Sequence, residues 1–286
     1  MIRIRILAHD DIPFAMKLKD QAGWNQTEAD WRRFLGMQPD GCFVAEWDGL
    51  AVGTTVSCIL GGIAWIAMVL VDPAFRGRGI GKALMSHALD FLDSQGVNSV
   101  RLDATALGKP LYEKLGFVVE YELSRYEGFP KPRVPASLNL APAPGRSVQA
   151  KVEDWPQVMH LDRDITATDR SKFLNRLFSE EPEAIRVIRS PTQVVGFLAS
   201  RAGICARQIG PCLGTPEAGL TLMMDAASRY AGSRVFIDIP IRNQIAIDAT
   251  KTLGLSVQRQ LVRMRRGRPV AERTDHIWAS SGPELG

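Results

Sequence analysis

The stretch Val69-Leu70-Val71-Asp72-Pro73-Ala74-Phe75-Arg76-Gly77-Arg78-Gly79-Ile80-Gly81-Lys82 has the residue types of a phosphate cradle. An apolar strand exits at a proline, a glycine-rich turn follows, and a helix opens at once behind it. Glycines at 77, 79 and 81 allow a sharp turn and close approach to a ligand. Successive backbone N–H groups can then point inward at the positive end of the helix dipole. Arg76, Arg78 and Lys82 add charge. The run is Gly-Arg-Gly-Ile-Gly rather than Gly-x-Gly-x-x-Gly, and Lys82 is not followed by Ser or Thr. It therefore departs from both dinucleotide-fold and P-loop spacing.

The surrounding elements must present this turn. Residues 1–7 alternate as a strand, a helix runs from Asp10 or Asp11 to about Gln21, and Thr27 opens a second helix through Leu35. Strands at 41–47 and 51–60 are joined at Asp48-Gly49, a hairpin signal, and Gly61-Gly62 turns into the strand ending at Val71. The cradle helix runs to about Ser94. A strand at 99–103, a short helix at 107–115 and a strand at 117–125 follow. Five prolines between Gly128 and Arg146 mark a linker, after which the same element order recurs, with helices at 155–161, 169–178, 217–230 and 243–253. Leu102-Asp103…Lys114-Leu115-Gly116-Phe117 matches Ile237-Asp238…Thr252-Leu253-Gly254-Leu255, the trace of an internal duplication. The expected division is a first domain over 1–128, a linker over 129–146, a second domain over 147–268 and a tail over 269–286. The tail has no pattern and is expected to be mobile or draped over the body.

Composition narrows the classes. With 286 residues, 45% of them apolar and 23% charged, the chain is an ordinary globular protein of two domains. Its longest apolar run, Ile63 to Val71, is too short to span a bilayer, and the N-terminus lacks a secretory core, so a cytoplasmic location is expected. Cys42, Cys58, Cys205 and Cys212 lack metal or disulfide spacing and read as buried free thiols. No metal motif is present. A net charge of +4 invites a nucleic-acid partner, but the basic cluster Arg259, Arg263, Arg265, Arg266 and Arg268 has no interleaved aromatics. It reads as a solvated strand end, and no nucleic-acid partner is expected.

With those residues in view, the first half resembles the GNAT superfamily of N-acetyltransferases. The family's pyrophosphate signature is Arg or Gln, two residues, Gly, one residue, then Gly or Ala; Arg76, Gly79 and Gly81 match it in order. Leu111-Tyr112-Glu113-Lys114-Leu115-Gly116-Phe117 looks like the family's second conserved segment. The resemblance implies a mixed α/β sheet in two tandem GNAT-like domains, with acetyl-CoA as co-substrate and no metal. It implies that the amides of residues 77 to 82 hold the CoA pyrophosphate and that Val69 and Val71 pair with the pantetheine arm like an added strand. The Leu70 region would then offer an N–H to the thioester oxygen.

Tyr112 falls where the family often has a tyrosine that protonates the departing thiolate; the other reading is a tyrosine packing its helix on the sheet. No base is evident, because the fourth strand, where relatives often bear a Glu, reads Trp65-Ile66-Ala67-Met68-Val69. Asp103 and Glu28 are the candidates, beside a water relay or no dedicated base, and Asp103 could merely cap a turn. Trp24 and Trp31 either line an acceptor pocket or staple the early helices. Thr105 stands about where many relatives have Asn.

The second half has no Arg-x-x-Gly-x-Gly; its matching stretch, Ile209 to Glu217, contains Pro211 and Pro216, which remove N–H donors. Thr250 stands where Tyr112 would, although Asn243 is retained. This half resembles a degenerate GNAT copy, expected to shape the acceptor site or to mediate a homodimer. The expected reaction is acetyl transfer to a primary amine by direct attack in a ternary complex, the acceptor being a small molecule, a peptide N-terminus or a lysine. The alternative is a non-catalytic acyl-CoA-binding sensor or scaffold.

Overall fold

The structure, a computed structural model, describes residues 1–132 and 143–286. Part of the expected linker therefore lies outside the described residues. The first half comprises β1 (Ile2–Ile6), α1 (Ile12–Gln21), α2 (Glu28–Met37), β2 (Cys42–Trp47), β3 (Leu50–Leu60), β4 (Ile63–Val71), α3 (Ile80–Ser94), β5 (Ser99–Ala104), α4 (Lys109–Lys114) and β6 (Val118–Gly128). The second comprises β7 (Val148–Gln149), α5 (Trp155–Thr166), α6 (Ser171–Glu180), β8 (Arg186–Arg189), β9 (Val194–Arg201), β10 (Arg207–Gly214), α7 (Pro216–Arg229), β11 (Val235–Pro240), α8 (Gln244–Thr252), β12 (Ser256–Gly267) and β13 (Ile277–Ala279). The mixed α/β class and the repeated order match the sequence reading. Local causes are visible: Thr27 and Asp30 form a capping box on α2, and Asp48 and Gly49, at φ 50° and 85°, make the tight β2–β3 turn. No helix among the described residues is long and apolar enough to cross a membrane.

One sheet runs through both halves in the order β1-β2-β3-β4-β5-β12-β6-β11-β10-β9-β8-β7, with β13 beside β10. The halves have exchanged their long last strands: β12 lies between β5 and β6, and β6 in turn pairs with β11. The exchange is locked by two buried ion pairs in matching places. Arg263 of β12 donates to Asp103 of β5 at 2.8 and 2.9 Å, and Arg125 of β6 donates to Asp238 of β11 at 2.7 Å twice. These are the two aspartates that the duplication aligns. Leaving one partner of such a pair alone costs about 3–5 kcal/mol.

Two expectations need correction. The arginine cluster is a solvated strand end only in part, because β12 is an interior strand: Arg263 is fully buried and Arg259 half-buried, whereas Arg265 and Arg266 are half-buried at its end, where Arg266 bonds Asp93, and Arg268 is exposed beyond it. Cys205 is exposed in the turn before β10, whereas Cys42, Cys58 and Cys212 are buried, and all four are free. Of the two readings of the tail, the structure takes the one that drapes it over the body: Glu272 accepts from Arg101 at 2.7 Å twice, β13 pairs with β10, and Arg170 donates to Ser281 at 2.7 Å.

Candidate active site

In the middle of the first half, β4 and β5 run parallel only over Ile63–Trp65 and Ser99–Arg101, then part. A bulge deepens the divergence: Met68 adopts φ 52°, its carbonyl turned to accept from the Thr54 hydroxyl at 3.0 Å. Beyond Trp65, β4 is hydrogen-bonded to β3 on one side only, so its other edge faces a cavity of about 650 Å³. At the end of β4, Asp72 caps a short turn by accepting from the Ala74 amide. Gly77 and Gly79 then take φ of 77° and 79°, which a residue with a side chain rarely adopts, and α3 begins at Ile80. The first-turn amides of α3 have no partner within the helix and open on the cavity. Volume, free strand edge and amide nest fit a phosphorylated, elongated ligand such as acetyl-CoA.

The expected cofactor residues Val69, Leu70, Val71, Arg76, Gly77, Gly79, Ile80, Gly81 and Lys82 all line this cavity. Arg76 Nε donates to the Val71 carbonyl at 3.1 Å, tying the turn to the strand end. Arg78 is not on the wall; its guanidinium stacks 5.2 Å from the ring centroids of Trp47 and Phe75. Tyr112 lines the cavity from α4, and burial pushes its phenol up to about 12, so it is protonated at neutral pH. Among the described residues its hydroxyl has no hydrogen-bond partner. Trp24 lines the cavity too, whereas Trp31 is wholly buried in the core; of the two readings of this pair, each residue takes one.

The two base candidates lie differently. Glu28 stands on the exposed side of α2, accepting from Arg32 Nε at 2.9 Å, and is not on the cavity wall. Asp103 touches the cavity, but both of its oxygens are held by Arg263; burial raises its pKa and the guanidinium opposes the rise. Other wall residues come from parts of the chain distant in sequence: Gln26, Arg259 and Leu261 of β12, and Glu284 of the tail. Glu284 accepts from Arg201 Nη2 at 2.9 Å and from Gln26 Nε2, and Trp65 Nε1 donates to the Pro283 carbonyl at 3.1 Å, holding the tail against β4. Burial, reinforced by Asp30, raises the Glu284 carboxyl above its ordinary value. Nothing in the local pattern of residues 269–286 signals this role, since Glu284 reaches the cavity only through the tertiary path of the tail.

Comparison with known proteins agrees with this geometry. Residues 10–117 match the acetyltransferase (GNAT) family model and residues 158–279 match an acetyltransferase (GNAT) domain model. An N-alpha-acetyltransferase of Arabidopsis thaliana is 34% identical over 43% of this chain and 75% of its own length. The chain belongs to the GNAT acetyltransferase family. It is an N-acetyltransferase enzyme that carries two GNAT domains in tandem, of a family that takes acetyl-CoA as co-substrate. The uncharacterized N-acetyltransferase YitH of Bacillus subtilis is 25% identical over 87% of this chain and 86% of its own length. A Pyrococcus horikoshii crystal structure assigned as an acetyltransferase superposes with a TM-score of 0.81 at 25% identity, covering 100% of this chain and 96% of that one.

The second GNAT domain repeats the frame and fills it. Here β10 and β11 run parallel over Arg207–Ile209 and Val235–Ile237 and then part, again at a bulge. Strand β13 lies in the gap, pairing Cys212 with Ala279 and Leu213 with Ile277, while the Ser280 amide donates to the Asp238 carbonyl at 2.8 Å. Trp278 is fully buried against Gly219 in the first turn of α7, so closely that a Cβ there would fall 2.0 Å from the indole nitrogen. Asn243 caps α8 and donates to the carbonyls of Asp275 and Ile277 at 3.1 and 3.0 Å. The strand edge that remains free in the first domain is thus taken up in the second by the chain itself.

Proposed function

We propose that the first domain transfers the acetyl group of acetyl-CoA to a primary amine by direct attack in a ternary complex, and that the second domain binds no acetyl-CoA. The amides of residues 77 to 82 hold the pyrophosphate, the free edge at Val69 and Val71 takes the pantetheine arm, and an N–H near Leu70 meets the thioester oxygen. Glu284, with its raised pKa and its place on the wall, takes the proton from the amine. The nitrogen lone pair forms the bond to the acetyl carbon, the C–S bond breaks, and Tyr112 returns a proton to sulfur. Asp103 serves this scheme as the buried partner of Arg263 rather than as the base. Trp24 borders the acceptor. What supports the reading is the cavity itself, which joins the amide nest, the unpaired strand edge and Tyr112 in one space.

Calorimetric titration with acetyl-CoA tests it: one site per chain is expected, two would make the second domain a binding domain, and none would overturn the assignment of the cavity. The Glu284→Gln variant is expected to lose about 100-fold or more in turnover. A wild-type rate that rises with pH through a value above the ordinary carboxylate range, a limb absent in the variant, would assign the base. A variant with unchanged turnover would return the role to a water relay.

A further inference from the structure

Arg259 breaks a local rule. Its register partner across β12 and β6 is Arg125, and like charges directly opposite on a sheet repel. Arg125 is neutralised, because Asp238 accepts two hydrogen bonds from it. Arg259 is not: among the described residues no ion pair reaches it, and its Nε is buried without a hydrogen-bond partner. The carboxylates that face it are already engaged, Asp238 by Arg125 and Gln208, Glu284 by Arg201 and Gln26. Burial and the charge of Arg125 lower its pKa to about 10, which leaves it a cation at neutral pH.

The position of this cation bears on the acceptor. A bulge in β12 between Val257 and Arg259 re-aims the strand there, and Arg259 lines the cavity. The glycine cradle follows β4, whereas β12 lies beyond β5, so the two sources of positive charge approach the cavity from different strands. Arg259 stands close enough to Glu284 to feel its charge, and it joins the cavity from β12 rather than from the turn that, in the reading above, receives the CoA pyrophosphate. A guanidinium with a desolvated, unmatched donor is suited to an oxyanion, which it can hold bidentately.

The geometry points to an acceptor that is a small amine carrying an acidic oxyanion group, received by Arg259 while the amine faces Glu284 and the thioester. This rests on the acetyl-transfer reading, and its chemistry is the step already balanced above. An amino acid has the required pairing of amine and carboxylate; an aminoalkyl phosphonate offers the same charge on a different centre.

The test is steady-state release of CoA by the full chain with a panel of amino acids, each beside its amide and its aminophosphonate analogue. The acids or the phosphonates are expected to exceed the matched amides by about 10- to 100-fold in kcat/KM, and whichever is faster identifies the oxyanion. Arg259→Gln should level acid and amide while acetyl-CoA affinity stays as in the wild type, and Arg259→Lys should restore part of the preference. Equal use of acids and amides by the wild type, a preference that survives in Arg259→Gln, or acetyl-CoA binding with no turnover of any panel member would each overturn the inference. Failure to bind acetyl-CoA would instead overturn the reading beneath it.

Discussion

The two places where the sheet opens, between β4 and β5 and between β10 and β11, are built alike and end differently. Each follows a three-residue parallel pairing, each is opened by a bulge, and each has a helix starting at its mouth. In the first, the turn into the helix is Gly77-Arg78-Gly79, with its amides free. In the second, Thr215 caps the helix with its own hydroxyl, Pro216 supplies no N–H, and β13 with Trp278 fills the gap. A duplicated frame therefore does not carry an open strand edge and a free amide nest with it. Binding needs an unpaired strand edge and unpaired amides, and each can be satisfied internally at little cost to the fold.

Several measurements would break or sharpen that contrast. The largest effect is expected from Trp278→Ala, which removes a fully buried indole and should cost about 3–5 kcal/mol in denaturant unfolding. The opened gap should still bind no acetyl-CoA, for want of an amide nest; a second calorimetric site in this variant would mean that the tail alone silences the second domain. Next come the matched aspartates. Asp103→Asn and Asp238→Asn each leave a buried arginine without its anion, and each should lose about 3 kcal/mol of stability. A normal stability for Asp103→Asn with turnover abolished would move Asp103 from the frame to the chemistry.

Tyr112→Phe should lower turnover about 100-fold with acetyl-CoA affinity nearly unchanged, whereas Thr250→Val at the matching place, whose buried hydroxyl has no partner, should leave turnover as it was. Equal loss of affinity and turnover in the tyrosine variant would make Tyr112 a packing residue. The smallest effect belongs to Gly79→Ala. Its Cβ would meet no atom within 4 Å, so the change acts only through φ 79°, at about 1 kcal/mol, and acetyl-CoA binding should weaken several-fold.

The cradle, Tyr112, the element order and the duplication were all legible in the sequence because each is local. A strand, a glycine turn and a helix start within 14 residues carry their own geometry, and alternation or helical spacing names an element without saying what it packs against. What tertiary structure alone decided is which strand lies beside which. The pattern of β12 is equally compatible with the edge of its own half, where its arginines would be solvated, and with an interior place in the other, where Arg263 meets Asp103 across 160 residues. The exchange of β6 and β12 carried Arg259 to the first domain's cavity, and the path of the tail carried Glu284 there and β13 into the second domain's gap. None of these residues has a neighbour in sequence that announces the role, since hydrogen bonds between strands and ion pairs between halves are set by long-range packing and not by local propensity.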